Sequence, residues 1–176
     1  MERSKNLVKK AKEGDVSAFA ALYEEIYKDL YHFALYTLRN RQDAEDAVSE
    51  TVTDAFASIG KLRSEDAFRA WVFRILSNKC KNRLKEYTRK YVELEDAEEE
   101  LAHTEEVTEN IYIRKIFGEL EETDRFIISL HVFGGYKNRE IAAILSMNAN
   151  TVRTRESRAL KKMAVRMQEE GFAAGM

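Results

Sequence analysis

Arginine and hydroxyl side chains near the C-terminal end of the sequence carry the pattern most open to chemical reading. Residues 151–158 run Thr-Val-Arg-Thr-Arg-Glu-Ser-Arg. On a helix, Val152, Ala159 and Met163 share an inward face, while Arg153, Thr154, Ser157 and Arg158 lie on the other side, one turn apart. Arginine pairs bidentately with a guanine edge, and hydroxyls suit phosphate or base contacts, so that outer face fits duplex DNA. Upstream, Asn138–Leu145 reads as a short helix and Ser146-Met147-Asn148 as a tight turn, which together give a helix-turn-helix layout. Such a pair needs a small residue where the helices touch, supplied by Ala142 or Ala143, and an apolar residue early in the second helix, supplied by Val152. Glu140 falls near the first helix's start, where its charge opposes the positive dipole end. Taken alone, the same pattern describes an ordinary helical hairpin with a solvated basic face.

Two more charged lines lie in the N-terminal half. Asp43, Asp46, Glu50 and Asp54 follow one helical line at spacings of three and four, an acidic ridge able to dock on a basic protein surface. One helix further on, Arg74, Asn78, Lys81, Lys85 and Arg89 form a basic stripe beside Trp71. Basic residues interleaved with amides and aromatics suit single-stranded or melted DNA. Either line alone is equally a solvated helix face. Trp71 shares its spacing with Val72 and Ile75 and is expected in the core. Enzymatic patterns are missing: His32, His103 and His131 are far apart, Cys80 is isolated, and no Gly-rich phosphate loop or metal-ligand spacing occurs. The expectation is a protein that is not an enzyme and has no cofactor and no metal site.

The elements that must position these lines are helices. Proline is absent from the 176 residues and there are only 7 glycines, and helices dominate where both breakers are scarce. No run has the alternation of a β-hairpin, so the fold class is all-α. Asp15 is placed to cap a helix carrying Phe19, Leu22, Ile26, Leu30 and Phe33, stopped by Asn40. A second helix spans roughly 42–59 with the stripe Ala44, Ala47, Val48, Thr51, Val52, Ala55, Phe56 and Ile59, ended by Gly60. A third starts near Ser64, buries Phe68, Trp71, Val72, Ile75 and Leu76, and frays into the basic stretch 79–90. Helices resume near Ile111 with Ile113, Ile116, Phe117 and Leu120. Thr123 is placed to cap the next, which carries Phe126, Ile127, Leu130 and Phe133 before the Gly134-Gly135 stop. Asn138 is placed to cap the helix after that, and a last helix runs to about Met167.

Net charge is −2, which by itself does not suggest a nucleic-acid binder. Its distribution does. Residues 1–90 hold 18 basic and 14 acidic side chains, residues 91–110 hold nine acids and no Lys or Arg, and residues 111–176 hold 11 basic and 8 acidic. Two mildly basic helical domains, 1–90 and 111–176, therefore flank an acidic linker, 91–110, which repels itself and buries little. Phosphate contacts are local, and charges beyond about 10 Å are screened, so a neutral average does not forbid gripping DNA. One cysteine excludes an intrachain disulfide. No signal-length or membrane-length apolar run occurs, and a cytoplasmic protein without stable membrane insertion is expected.

Three segments together resemble one family. The run Asp43–Phe56 is similar to the core-polymerase-binding helix of extracytoplasmic-function (ECF) sigma factors of the sigma-70 family. Phe68–Leu84 is similar to the helix of sigma region 2 that recognises the minus-ten promoter element. Glu140–Leu145, with 151–155 and Arg158-Ala159, resembles the helix-turn-helix of sigma region 4, which reads the minus-thirty-five element. The order and spacing also match.

The resemblance implies an RNA polymerase sigma factor directing promoter-specific initiation. Its partners would be core RNA polymerase (β′ and β subunits), promoter DNA and an anti-sigma factor. Asp43, Asp46, Glu50 and Asp54 would bind core polymerase, on the β′ clamp coiled coil. Arg74, Asn78, Lys79, Lys81 and Asn82, with the loop Gly60–Asp66, would capture the melted minus-ten strand. Arg153, Thr154, Ser157 and Arg158 would read the minus-thirty-five duplex. Two positions depart from the family pattern. Ser146 stands where the turn usually has Gly, at a cost of about 1 kcal/mol for a left-handed residue. Glu156 stands where an apolar residue usually faces the first helix, and is expected to reach solvent or pair with Arg139 or Arg153. The other reading is a stand-alone helix-turn-helix regulator, which has no use for an acidic ridge followed by a basic, Trp-containing helix.

Overall fold

The computed structural model describes residues 2–91 and 108–169, and every described element is helical. Contacts divide the chain into two compact units, Met1–Leu101 and Ala102–Met176. The acidic stretch read over 91–110 lies mostly outside the described residues. Among the described residues, no helix is long and apolar enough to cross a membrane.

In the first unit, α1 (Glu2–Lys12) and α2 (Val16–Leu38) are joined by a sharp turn. Asp15 caps α2 as expected, its carboxylate accepting from the Ala18 N–H at 2.9 Å. Arg39, at φ 59°, closes α2, and Asn40 caps α3 (Arg41–Ser58) by accepting from the Asp43 N–H at 3.0 Å. Asn40 thus starts the next helix, and the stop belongs to the left-handed Arg39. A pair of 3₁₀ turns, Ile59–Lys61 and Glu65–Ala67, leads into α4 (Phe68–Tyr91). The expected fraying does not occur: α4 continues through the basic stretch.

α2 is the hub, packed by α1, α3 and α4. Its stripe Phe19, Leu22, Ile26, Leu30 and Phe33 is buried, and Phe33 meets Phe73 of α4 edge-on at 5.8 Å. Phe73, fully buried, was not read from the sequence. Trp71 and Ile75 are only half-buried, which corrects their expected core positions. The fully inward line of α4 instead passes through Val72, Phe73, Leu76, Cys80 and Leu84. Phe56 is also partly exposed, resting edge-on against Phe19 at 5.1 Å. Burial raises the Cys80 thiol far above its ordinary range, so it packs as a small inert hydrophobe.

The second unit is built on α5 (Thr108–Gly118), α6 (Glu122–Val132), α7 (Asn138–Leu145) and α8 (Ala149–Glu169). α8 packs against the other three. Its core is Ile116, Phe117, Leu120, Phe126, Ile127, Leu130, Ile141, Val152 and Ala159. Two caps differ from expectation. Glu121, not Thr123, precedes α6, and Lys137, not Asn138, precedes α7. α6 ends at Val132 with Phe133 as its C-cap, and Gly134 follows where no side chain fits: a Cβ there would meet the Leu130 carbonyl oxygen at 2.6 Å.

Candidate nucleic-acid interface

Hydrogen bonds at its caps and turn fix the geometry of the α7–turn–α8 motif. At its entry the Lys137 N–H donates to the Glu140 carboxylate at 2.8 Å, so Glu140 satisfies an orphan donor as well as opposing the dipole. At its turn Ser146 is left-handed (φ 55°, ψ 43°), and the Met147 N–H donates to the Ala142 carbonyl at 2.9 Å. This is the closure a glycine would make, held here by a serine. Asn148 then caps α8, accepting from the Asn150 N–H at 2.8 Å. Of the two candidate small residues, Ala142 is the buried one and Ala143 is exposed.

α8 sorts its arginines by what they touch. Arg153, Thr154, Ser157 and Arg158 are all exposed on the outer face. Neither Arg153 nor Arg158 has an ion-pair partner among the described residues. Thr154 donates its hydroxyl proton to the Asn150 carbonyl at 2.8 Å, leaving its oxygen as an acceptor. Arg155, between them in sequence, points back to α6. It donates to Asp124 at 2.7 Å and lies 2.5 Å from Glu121. Arg166 grips both carboxylate oxygens of Glu119 at 2.8 Å, which holds the Glu119 carboxyl below its ordinary value.

Glu156 pairs with neither Arg139 nor Arg153. Its side chain is 12 % exposed, and its carboxylate lies 3.2 Å from Nδ1 of His131 on α6. A histidine–carboxylate contact thus stands at the position where the resemblance led to an apolar residue being expected. His131 lies 25 positions upstream, too far for any helical spacing rule to link the two.

The acidic ridge of the first unit is partly tied to α4, on a face of that helix other than its basic stripe. Arg83 of α4 lies 2.7 Å from Glu50 and 3.4 Å from Asp43. Lys79 lies 2.7 Å from Asp54 and 3.3 Å from Glu50. The Tyr87 hydroxyl donates to Asp43. Burial first, then the Asp43 carboxylate, pushes the Tyr87 phenol well above its ordinary range. Burial alone would lower the Lys79 ammonium, but the bonds to Asp54 and Glu50 outweigh it and raise its pKa.

Of the acidic ridge, Asp43, Glu50 and Asp54 are therefore tied to α4, though Glu50 and Asp54 remain more than half exposed. Asp46 is exposed and has no partner among the described residues. Of the strand-capture group, Arg74, Asn78 and Asn82 are exposed on the outer face of α4, Lys81 is half-buried, and Lys79 faces α3. Arg83 and Tyr87 are the residues sequence reasoning missed. Their spacing with Lys79, at i, i+4 and i+8, was the available signal for a second polar face on α4. In the connecting loop the Leu62 side chain is buried, while Lys61, Arg63 and Ser64 are exposed.

Comparison with known proteins follows the same division. The family model for sigma-70 region 2 matches residues 22–90, and that for sigma-70 region 4 matches residues 111–163. The chain is 30 % identical over 147 residues to RNA polymerase sigma factor SigV of Bacillus subtilis, covering 83 % of this chain and 89 % of that one. It is 28 % identical to ECF RNA polymerase sigma factor SigM of Mycobacterium tuberculosis, covering 86 % and 78 %. Among solved structures, sigma factor RpoE of Bartonella quintana, in complex with the anti-sigma factor NepR, superposes with a TM-score of 0.71 at 21 % identity, covering 87 % and 98 %. CnrH, in complex with the cytosolic domain of CnrY, gives 0.67 at 24 % identity, covering 96 % and 99 %. Those two likenesses show the fold.

Proposed function

We propose a division of labour for this chain from the premise that it belongs to the sigma-70 family, as an ECF RNA polymerase sigma factor that directs promoter-specific transcription initiation. Residues 1–90 act as region 2, residues 91–110 as an acidic linker, and residues 111–176 as region 4. Asp43, Asp46, Glu50 and Asp54 bind core polymerase through the β′ subunit, with Asp46 the member most open to a partner. Arg74, Asn78, Lys79, Lys81 and Asn82, together with the loop Gly60–Asp66, hold the melted minus-ten strand. In that group Lys79 contributes chiefly by fixing α4 against α3. Arg153, Thr154, Ser157 and Arg158 read the minus-thirty-five duplex.

The observation that carries this assignment is the sorting of cations. Arg155, Arg166, Arg83 and Lys79 are held by carboxylates of their own unit, whereas Arg153, Arg158 and Arg74 are exposed and uncommitted. Phosphate binding needs cations whose charge is not already neutralised by the protein. All these contacts are binding contacts, and the chain's role involves no catalytic step of its own. It works in the cytoplasm, where polymerase and promoter are. The complex of RpoE of Bartonella quintana with the anti-sigma factor NepR supports an anti-sigma factor as a further partner.

A stand-alone helix-turn-helix regulator leaves the region 2 match over residues 22–90 without a purpose. The test is transcription by core polymerase and this chain from a randomised promoter library. Enrichment of a two-element promoter is expected. Transcripts that start without sequence preference would overturn the assignment.

A further inference from the structure

The helix α1 was invisible to sequence reasoning, and the region 2 match begins only at residue 22. Yet α1 is bonded to the loop assigned above to the melted strand. The Lys12 ammonium donates to the Leu62 carbonyl at 3.0 Å and lies 3.6 Å from the Glu65 carboxylate. Two turns earlier, on the same face, Lys5 lies 2.9 Å from Asp66. One helix thus holds the loop at its middle and at its far end.

The support itself is rigid. At the end of α1, the Asp15 N–H donates to the Lys10 carbonyl and the Gly14 N–H to the Ala11 carbonyl, both at 3.0 Å, with Gly14 at φ +95°. This paired closure fixes the last turn of α1, from which Lys12 projects. Asp15 then caps α2, so a single residue is bonded to both the last turn of α1 and the first turn of α2. Val8 and Ala11 of α1 are buried. On the loop side Ile59 and Leu62 are buried, and the Leu62 N–H donates to the Ile59 carbonyl at 3.0 Å. The carbonyl that Lys12 binds therefore belongs to an anchored residue. Above it, Lys61, Arg63 and Ser64 are exposed, and Lys61 and Arg63 have no ion-pair partner among the described residues.

We infer that Lys12, aided by Lys5, is a positioning residue: α1 is a strut that holds the loop Gly60–Asp66 in the shape that presents Lys61, Arg63 and Ser64 to unpaired promoter bases. The inference rests on the strand-capture reading of that loop. A recognition loop fixed in advance loses less freedom on binding, and so discriminates better than one that must order itself around each base.

The test uses the full chain with core polymerase on promoters varied at the minus-ten element, with strand opening read from a fluorescent base analogue placed there. Lys12→Met keeps the aliphatic stem and removes both bonds, while Lys12→Arg keeps donor and charge. Lys12→Met is expected to lower opening roughly fivefold to tenfold, the scale of one charged hydrogen bond on a partly exposed site. It should flatten the preference among minus-ten variants and leave core affinity and minus-thirty-five duplex binding unchanged, with Lys12→Arg restoring the preference. Arg63→Ala and Ser64→Ala probe the loop itself. If they impair opening while Lys12→Met matches the wild type, the strut is overturned and the loop reading stands. If none of the three changes opening or preference, the loop reading fails and the strut with it. Should Lys12→Met also lower core affinity through loss of fold, Lys5→Met decides, since it lies on α1 outside the loop, removes one ion pair and spares the Leu62 bond. A changed minus-ten preference in it supports the strut, and an unchanged one overturns it.

Discussion

Glu50 and Asp46 are one turn apart on α3, both acidic and both exposed, yet reversing their charge should do different things. Glu50 lies 2.7 Å from Arg83 and 3.3 Å from Lys79, and those two cations are only 20 % and 21 % exposed. Asp46 touches no cation among the described residues. Two unit charges at 4 Å attract by about 1 kcal/mol in water and about 4 kcal/mol at the effective dielectric of a protein surface. Glu50 is 53 % exposed, so each pair keeps only the lower part of that range. Losing both pairs costs about 1 kcal/mol, and placing a lysine beside Arg83 and Lys79 adds repulsion of similar size. Glu50→Lys should therefore destabilise the first unit by about 2 kcal/mol, lowering its melting temperature by roughly 10 °C. Asp46→Lys should stay within about 0.5 kcal/mol of the wild type. Thermal denaturation of the two variants, followed by titration onto core polymerase at a temperature where both are folded, separates the roles. Asp46→Lys should bind core at least tenfold more weakly at unchanged stability, since reversing one interface charge commonly costs more than about 1.4 kcal/mol. Equal melting of the two variants would refute the α3–α4 network, and unchanged core affinity in Asp46→Lys would refute the docking role of the ridge.

Other expectations rest on the second unit. Ser146→Gly removes the cost of a left-handed side chain and should raise stability by up to about 1 kcal/mol, measured by thermal denaturation; no gain would mean that the serine carries no strain. Arg153→Ala should cost about 1–3 kcal/mol in binding a minus-thirty-five duplex at unchanged stability, whereas Arg155→Ala should lower the melting temperature first, because Arg155 is bound to Glu121 and Asp124. Equal effects of the two on DNA binding would contradict the sorting of cations. The Glu119 carboxyl is depressed below its ordinary value of 4.5 by Arg166, so its contribution is complete above that pH and is lost as pH falls through the depressed value. An acid titration of Glu119→Gln should therefore be flatter than that of the wild type below pH 4.5 and match it in slope above.

The parts legible in the sequence were those set by local periodicity. The stripe Phe19–Phe33 is buried because it recurs at helical spacing between two caps, and Asp15 caps because its side chain reaches an N–H three residues on. Exposure of Arg153, Thr154, Ser157 and Arg158 follows from Val152 and Ala159 pointing inward. What escaped was decided across long chain separations. Arg83 meets Asp43 across 40 positions and Glu156 meets His131 across 25, and no spacing within one helix names a partner on another. Trp71 has the spacing of a core residue beside Val72 and Ile75, but Phe73 takes the place against Phe33 and leaves Trp71 half-buried. The first helix was missed because it buries only a narrow line, Val8 and Ala11, among charged residues. The caps of α6 and α7 slipped by one or two residues, the usual uncertainty of a helix end.

The most direct measurement of the central claim is the equilibrium binding of the full chain to purified core RNA polymerase. A sigma factor must occupy core before any promoter is read, so the account predicts saturable, one-to-one binding with a Kd below about 1 µM, a binding free energy beyond about −8 kcal/mol. Duplex binding by the second unit with no association with core at micromolar concentration would contradict it.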